Sequence, residues 1–277
     1  MFATANYAEE RGKCEQMLQK FSVLSMNPED PPQKKYLEMI AEVNAQQRTS
    51  FPISLDDVSS FFGESSELLS NILCNTRRYV ELFSEAIDNL LPARSNRISD
   101  DDDVIDVLVS QRIQQVAAGE QVDLKTIFPR ELLRRFSVTF TPLSHMKPHA
   151  IREIRASSVG ATVFLRGIVT RTTDVRPQMV VATYSCERCG FETYQEVISR
   201  TFRMIDNCQS ERCTSDKTPG RLTLQTRGSK FIPFQEIHIQ ELSNQVPIGH
   251  IPRSMAIHAF GEQTRVANPG DIIHVSG

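Results

Sequence analysis

The chain has 277 residues with 31 basic and 34 acidic side chains, a formal net charge of −3, and a composition that is 40% hydrophobic and 23% charged. Together with a mean hydropathy of −0.30, this argues against an intrinsically disordered chain and against a membrane-resident one, and no apolar stretch approaches bilayer-spanning length. The length leaves room for two domains, and the opening MFATANYAEERGKCEQ, acidic by position 9, reads as neither a secretory signal nor a transit peptide.

Residues 1–140 read as helical, because apolar residues recur at spacings of three and four and strand-like alternation is absent. Met17, Leu18, Phe21 and Leu24 form one such face, and Tyr36, Ile40 and Val43 form another. Pro28, Pro31 and Pro32 separate them. A long helix is expected from Ser66 to Leu91, with Leu69, Leu73, Thr76, Val80, Phe83 and Ile87 on one face and Pro92 as its stop. The acid run Asp100 to Asp103 reads as the start of another helix, whose apolar face carries Val104, Ile105, Leu108 and Val109; carboxylates there complement the helix dipole. PRELLRRF gives a short amphipathic helix, and the two prolines of FTPLSHMKPH mark a domain boundary.

From Ala161 onward the texture changes to β. ATVFLRGIVTR, QMVVATYSC, GRLTLQTR, KFIPFQEIHIQEL, SMAIHAFGE and GDIIHVSG are β-branched or aromatic-rich and bounded by turn residues. Short strands with long polar inserts suit a small barrel such as an OB-fold, although strand count alone does not separate it from other barrels. The fold class these residues lead to is α+β and multidomain: helices over 1–145 followed by a small barrel over 146–277. Charge divides the same way, with a net −6 over residues 1–150 and +3 over residues 151–277.

YSCERCGFETYQ supplies Cys-x2-Cys with a glycine directly after it, and NCQSERCTSD supplies Cys-x4-Cys after a spacer of 18 residues. Cys186, Cys189, Cys208 and Cys213 can therefore converge on one structural Zn2+ in a closed four-thiolate site, with Gly190 free to take the positive φ of the knuckle. An iron–sulfur cluster or two disulfides are the alternatives; four close cysteines without a signal sequence point to metal and to the cytosol or nucleus. A closed site has no position for a reactive water, and no phosphate loop, dinucleotide fingerprint, nucleophile elbow or HExxH motif occurs. Cys14 and Cys74 read as core residues of helices, and the six histidines show no ligand spacing.

Basic residues accompany the expected strands: Arg166, Arg171 and Arg176, then Arg227, Lys230 and Arg253. Gathered into one groove they would track a phosphate backbone, with Phe231 or Phe234 as a stacking face. Scattered solvated charges with phenylalanines in the core are the alternative reading.

LRGIVTR, RPQMVVATYSCERCGFETYQ, LQTRGSKFIPFQEIHIQE and QVPIGHIPRSM, in this order and with the cysteine pairs at this spacing, resemble the N-terminal region of minichromosome maintenance helicase subunits. RRYVELFSEAIDNLLP and PRELLRRF extend the likeness upstream. The resemblance implies a helical bundle over 1–145, an OB-fold barrel over 146–277 with a zinc ribbon inserted at 184–222, and a nuclear protein that joins other such subunits in a heterohexameric ring around single- or double-stranded DNA. It further implies an AAA+ domain beyond Gly277 that would carry ATP and Mg2+, and contacts to a second hexamer through the zinc ribbons. It assigns the DNA grip to Arg166 and Lys230, with Arg171 and Arg227 as fallback positions and Arg253 at the end of a hairpin over 245–253. That hairpin's tip, VPIGHI, carries no lysine or arginine, unlike basic hairpins elsewhere in the family. A scaffold that makes only subunit contacts, favoured by the sequence pI of 6.1, is the competing function.

Overall fold

A computed structural model of the chain describes residues 6–22, 34–63, 66–92, 104–117, 128–199, 201–215 and 220–277. Two compact units emerge: Met1–Ala93 with Arg135–Val175 and Gln235–Gly277, and Arg94–Arg134 with Arg176–Phe234.

In the first unit the expected helical faces form. Helix α1 (Tyr7–Lys20) buries Met17 and Leu18, and α2 (Lys35–Asn44) buries Tyr36, Ile40 and Val43. Leu24 and the proline cluster lie outside the described residues. Helix α3 (Leu55–Phe62) follows. The single helix expected over Ser66–Leu91 is instead two, α4 (Glu67–Cys74) and α5 (Thr76–Leu90), broken at Asn75. The cause is long-range: the Thr76 N–H donates to the Gly160 carbonyl at 3.2 Å and the Leu73 carbonyl accepts from the Thr162 N–H at 2.8 Å. The 160–162 segment thus takes backbone groups that a continuous helix would use internally.

The expectation that no strand occurs before residue 140 is corrected by β1 (Ser50–Ser54) and β2 (Ser137–Thr141), which pair in parallel. Phe51 and Ile53 point inward from β1 and join Tyr36, Phe83 and Ile87 in one hydrophobic core. The first unit also holds β3 (Phe164–Thr172), β8 (Ser254–Phe260) and β9 (Ile272–Ser276). It includes most of β7 (Lys230–Gln240), whose first five residues belong to the second unit. Strand β3 pairs antiparallel with β7 and β9, and β8 pairs with β7. Leu165, Val169, Ile237, Ile239 and Ala259 form the buried side of these strands.

A buried carboxylate fixes the turn after β7. Glu241, 2% exposed, accepts from Arg152 Nε at 3.0 Å and Nη2 at 2.7 Å, and from the Arg152 and Arg253 backbone N–H groups at 2.8 and 3.0 Å. Between them these four donors fill the carboxylate's acceptor sites. The loop beyond carries the exposed tip residues Ile248 and Ile251.

In the second unit, α6 (Val104–Ala117) and the one-turn α7 (Arg130–Leu133) form where the sequence places helices; the acid run at 100–103 lies outside the described residues. Val109, Phe128 and Leu132 pack against Val181 of β4 (Arg176–Cys186). Strand β4 pairs antiparallel with β5 (Glu192–Glu196), β6 (Leu222–Leu224) and the first residues of β7. Strand β5 escapes the sequence reading because ETYQE, half-exposed throughout most of its length, has no apolar alternation. Among the described residues no helix is long and apolar enough to cross a membrane.

Candidate functional site

The second unit assembles the four expected cysteines. Cys186 ends β4 and Cys189 follows in the tight turn into β5, where Gly190 takes φ +68° and its N–H donates to the Cys186 carbonyl at 3.0 Å. Cys208 and Cys213 flank the start of a short helix, α8 (Glu211–Ser215). All four sulfurs lie within 4.8 Å of one another and could hold a metal ion. Two of the separations are 3.9 Å, Cys186 to Cys213, and 3.7 Å, Cys189 to Cys208. A tetrahedral ion bound at about 2.3 Å from each thiolate sets sulfurs about 3.8 Å apart, so the donor set fits such an ion.

Two residues that spacing did not single out complete this cage. The Ser210 hydroxyl accepts the Cys213 N–H at 3.3 Å and lies 3.3 Å from both Cys189 Sγ and Cys208 Sγ. Its hydrogen bond, helped by the Phe191 backbone, holds the Cys189 thiol down to about 6, which favours the thiolate form that a metal ion would need. Gly220 donates no side chain, and a Cβ there would intrude on Cys186 Sγ and sit 3.3 Å from Cys213 Sγ. Of the remaining cysteines, Cys14 is fully buried as expected, whereas Cys74 is exposed, a correction to the core reading. The buried face of α4 runs through Leu68, Leu69 and Ile72, and Cys74, two residues past Ile72, falls on the opposite side of the helix.

The expected basic residues separate between the units. Arg166, Arg171 and Arg253 belong to the first, and Lys230 and Arg227 to the second. The Lys230 ammonium donates to the carbonyl oxygens of Glu131 at 2.6 Å and of Arg134, the groups left open at the end of α7. Arg227 and Arg253 are exposed, as is Phe231, while Phe234 is half-buried.

Arg166 and Arg171 share one face of β3, although their odd separation puts them on opposite faces of a regular strand. The β3–β7 register shifts between Val169 and Arg171. Before the bulge, Val169 opposes Ile239 on the core side; after it, Arg171 opposes His238 on the outer side. One extra residue therefore turns Arg171 outward. Its Nη2 lies 3.1 Å from His238 Nε2, which is 3.4 Å from Glu236 Oε1. Arg166 stands across from His274 of β9, and its Nε is buried with no hydrogen-bond partner among the described residues. The His274 ring stacks against Phe164, with centroids 5.6 Å apart at 30°. The outer face of β9, β3 and β7 thus presents two guanidinium groups, two imidazoles, an aromatic ring and one carboxylate, that of Glu236.

Two family models match the chain: the MCM N-terminal domain over residues 11–142 and the MCM OB domain over residues 150–277. The chain is 38% identical over 275 residues to the DNA replication licensing factor mcm7 of Schizosaccharomyces pombe, which covers 99% of this chain and 36% of that protein. It is 42% identical to mcm7-A of Xenopus laevis, covering 98% of this chain and 38% of the relative. Against MCM7 of Arabidopsis thaliana the identity is 44%, over 88% of this chain and 34% of the relative. The chain therefore spans little more than a third of the length of these curated relatives.

Proposed function

The chain belongs to the minichromosome maintenance (MCM) family, as an N-terminal domain followed by an OB domain, and from that premise we propose that it is the DNA-binding and ring-assembly collar of a replicative helicase subunit. In this reading it works in the nucleus, in origin licensing and unwinding, beside other MCM subunits in a six-membered ring. ATP and Mg2+ act in a motor domain outside these residues. The helical region over 1–145 is the outer bundle, the barrel over 146–277 faces DNA, and the ribbon over 184–222 meets a second ring.

The observation that carries the DNA-binding role is the outward pairing of Arg166 and Arg171 on one face of β3. A guanidinium fork suits phosphate oxygens, and the half-buried setting of Arg166 lowers the hydration that a phosphate must displace. Lys230, Arg227 and Arg253 are proposed as further contacts. Cys186, Cys189, Cys208 and Cys213 would hold a Zn2+ ion through four thiolates, and such an ion would cross-link the ribbon in a structural role, with no position for a reactive water.

The test is a salt titration of single-stranded oligo(dT) binding. Each neutralised phosphate contributes about 0.7 to the slope of log affinity against log salt. The double variant Arg166→Ala, Arg171→Ala is expected to bind more weakly with a slope flatter by about 1.4. Equal affinity and slope refute the assignment. A scaffold role without DNA contact is the second reading, favoured by the engaged ammonium of Lys230 and by the exposed Phe191, Ile198 and Met204 around the ribbon. It predicts no retention on single-stranded DNA at low salt but unchanged association with neighbouring subunits.

A further inference from the structure

Resting on that DNA-binding reading, we infer that Phe164 and His274 form a base-stacking platform beside Arg166, so that this face holds a whole nucleotide rather than a phosphate alone. Three observations meet at this point. Strand pairing sets Arg166 directly opposite His274 and Phe164 opposite Ser276, so all three functional side chains leave the sheet on its outer side. The imidazole of His274 is exposed while its inner face rests on the half-buried Phe164 ring, 5.6 Å away and tilted by 30°. Arg166 brings a buried Nε that no described group satisfies.

An unpaired buried donor is costly unless a ligand completes it. A phosphate oxygen is a matching acceptor, and a guanidinium accepts such a ligand without proton transfer. The neighbouring ring pair offers what phosphate cannot use: a flat, polarisable, solvent-facing surface. Bases of any identity have a π-face that stacks on such a ring, which makes the contact sequence-tolerant. Phe164 beneath keeps the imidazole plane fixed, so little rotamer freedom is lost when a base lands on it. Gln240 and Ile168, on the same outer face one pair along, leave the strand direction as the path for the next nucleotide. A single strand can present a splayed base to this face, whereas a duplex keeps its bases stacked on each other. The ligand class is therefore single-stranded nucleic acid, with stacking at His274 and phosphate at Arg166.

The test compares oligo(dT) with an abasic oligomer of equal length, which has the same phosphates and no bases, by fluorescence anisotropy with the 277-residue chain. His274→Ala is expected to weaken oligo(dT) binding by at least about fivefold and to leave the abasic oligomer unaffected. His274→Phe, which keeps a ring and removes the imidazole, is expected to restore oligo(dT) binding. Arg166→Ala is expected to weaken both ligands. If His274→Ala has no effect, or weakens both ligands equally, the platform is refuted, and a surviving effect of Arg166→Ala leaves the phosphate-binding face intact. If Arg166→Ala also changes neither ligand, the DNA-binding reading itself fails and the platform falls with it. Circular dichroism of each variant separates lost contact from lost fold.

Discussion

Replacing Arg152 with alanine withdraws the side chain that dominates the environment of Glu241. Two of the four donors on that carboxylate belong to the Arg152 guanidinium and two to backbone N–H groups. The Arg152 side chain first, and then the backbone donors, hold the Glu241 carboxyl down to about 2 from an ordinary 4.5. That difference corresponds to about 3 kcal/mol of folding stability, comparable to the cost of breaking a buried ion pair by removing one partner. Because the native carboxyl binds its proton less readily than the unfolded one, the contribution is complete above about pH 5 and is lost as pH falls toward 2. Urea denaturation is the assay. The chain has no tryptophan, so helix circular dichroism serves as the signal. Arg152→Ala is expected to be less stable than the parent by about 3 kcal/mol at pH 7, with the gap narrowing steadily below pH 4. A gap below about 0.5 kcal/mol at pH 7, the size of an ordinary surface change, or one that does not vary with pH, would refute the reasoning. The consequence for function is local: this ion pair ties Arg253 to the end of β7 and so holds the base of the 242–253 loop.

Three further outcomes follow from the second unit. Gly220→Ala places a methyl group against Cys186 Sγ and Cys213 Sγ; after loading with Zn2+, the variant should lose metal to a competing chelator about tenfold faster or more, and retention equal to the parent contradicts the close approach. Removing metal from the reduced chain should unfold the ribbon while sparing the first unit, since structural zinc contributes about 10–16 kcal/mol to such folds; hydrogen exchange over residues 184–222 that stays slow after chelation contradicts this. Lys230→Met leaves the carbonyls of Glu131 and Arg134 without their shared donor, and is expected to cost about 1–3 kcal/mol while weakening oligo(dT) binding less than Arg166→Ala does.

The legible parts of this molecule were those written in local pattern. Cysteine pairs with two and four residues between their members, and with Gly190 after the first pair, point to their chemistry because thiolate ligation depends on few residues. The helical faces through Met17, Tyr36 and Phe83 were equally plain, since each helix buries one stripe. What escaped was long-range. Nothing near Asn75 marks a helix break, because the cause is a segment 85 residues away, which takes the Thr76 N–H through Gly160. Parity along FLRGIVTR sends Arg166 and Arg171 to opposite faces; only the partner strand reveals the bulge that reunites them. His274 could be placed outward by alternation in IIHVS, but its stacking on Phe164 requires knowing that β3 and β9 are neighbours. Ser210 and Gly220 matter through what they touch, and neither residue type signals that alone.

The most direct measurement of the central claim is a photocross-link from oligo(dT) carrying 4-thiothymidine, mapped by peptide mass spectrometry. The account predicts adducts within residues 164–172 and 272–277, diminished by Arg166→Ala; adducts confined to other segments, or none at low salt, would contradict it.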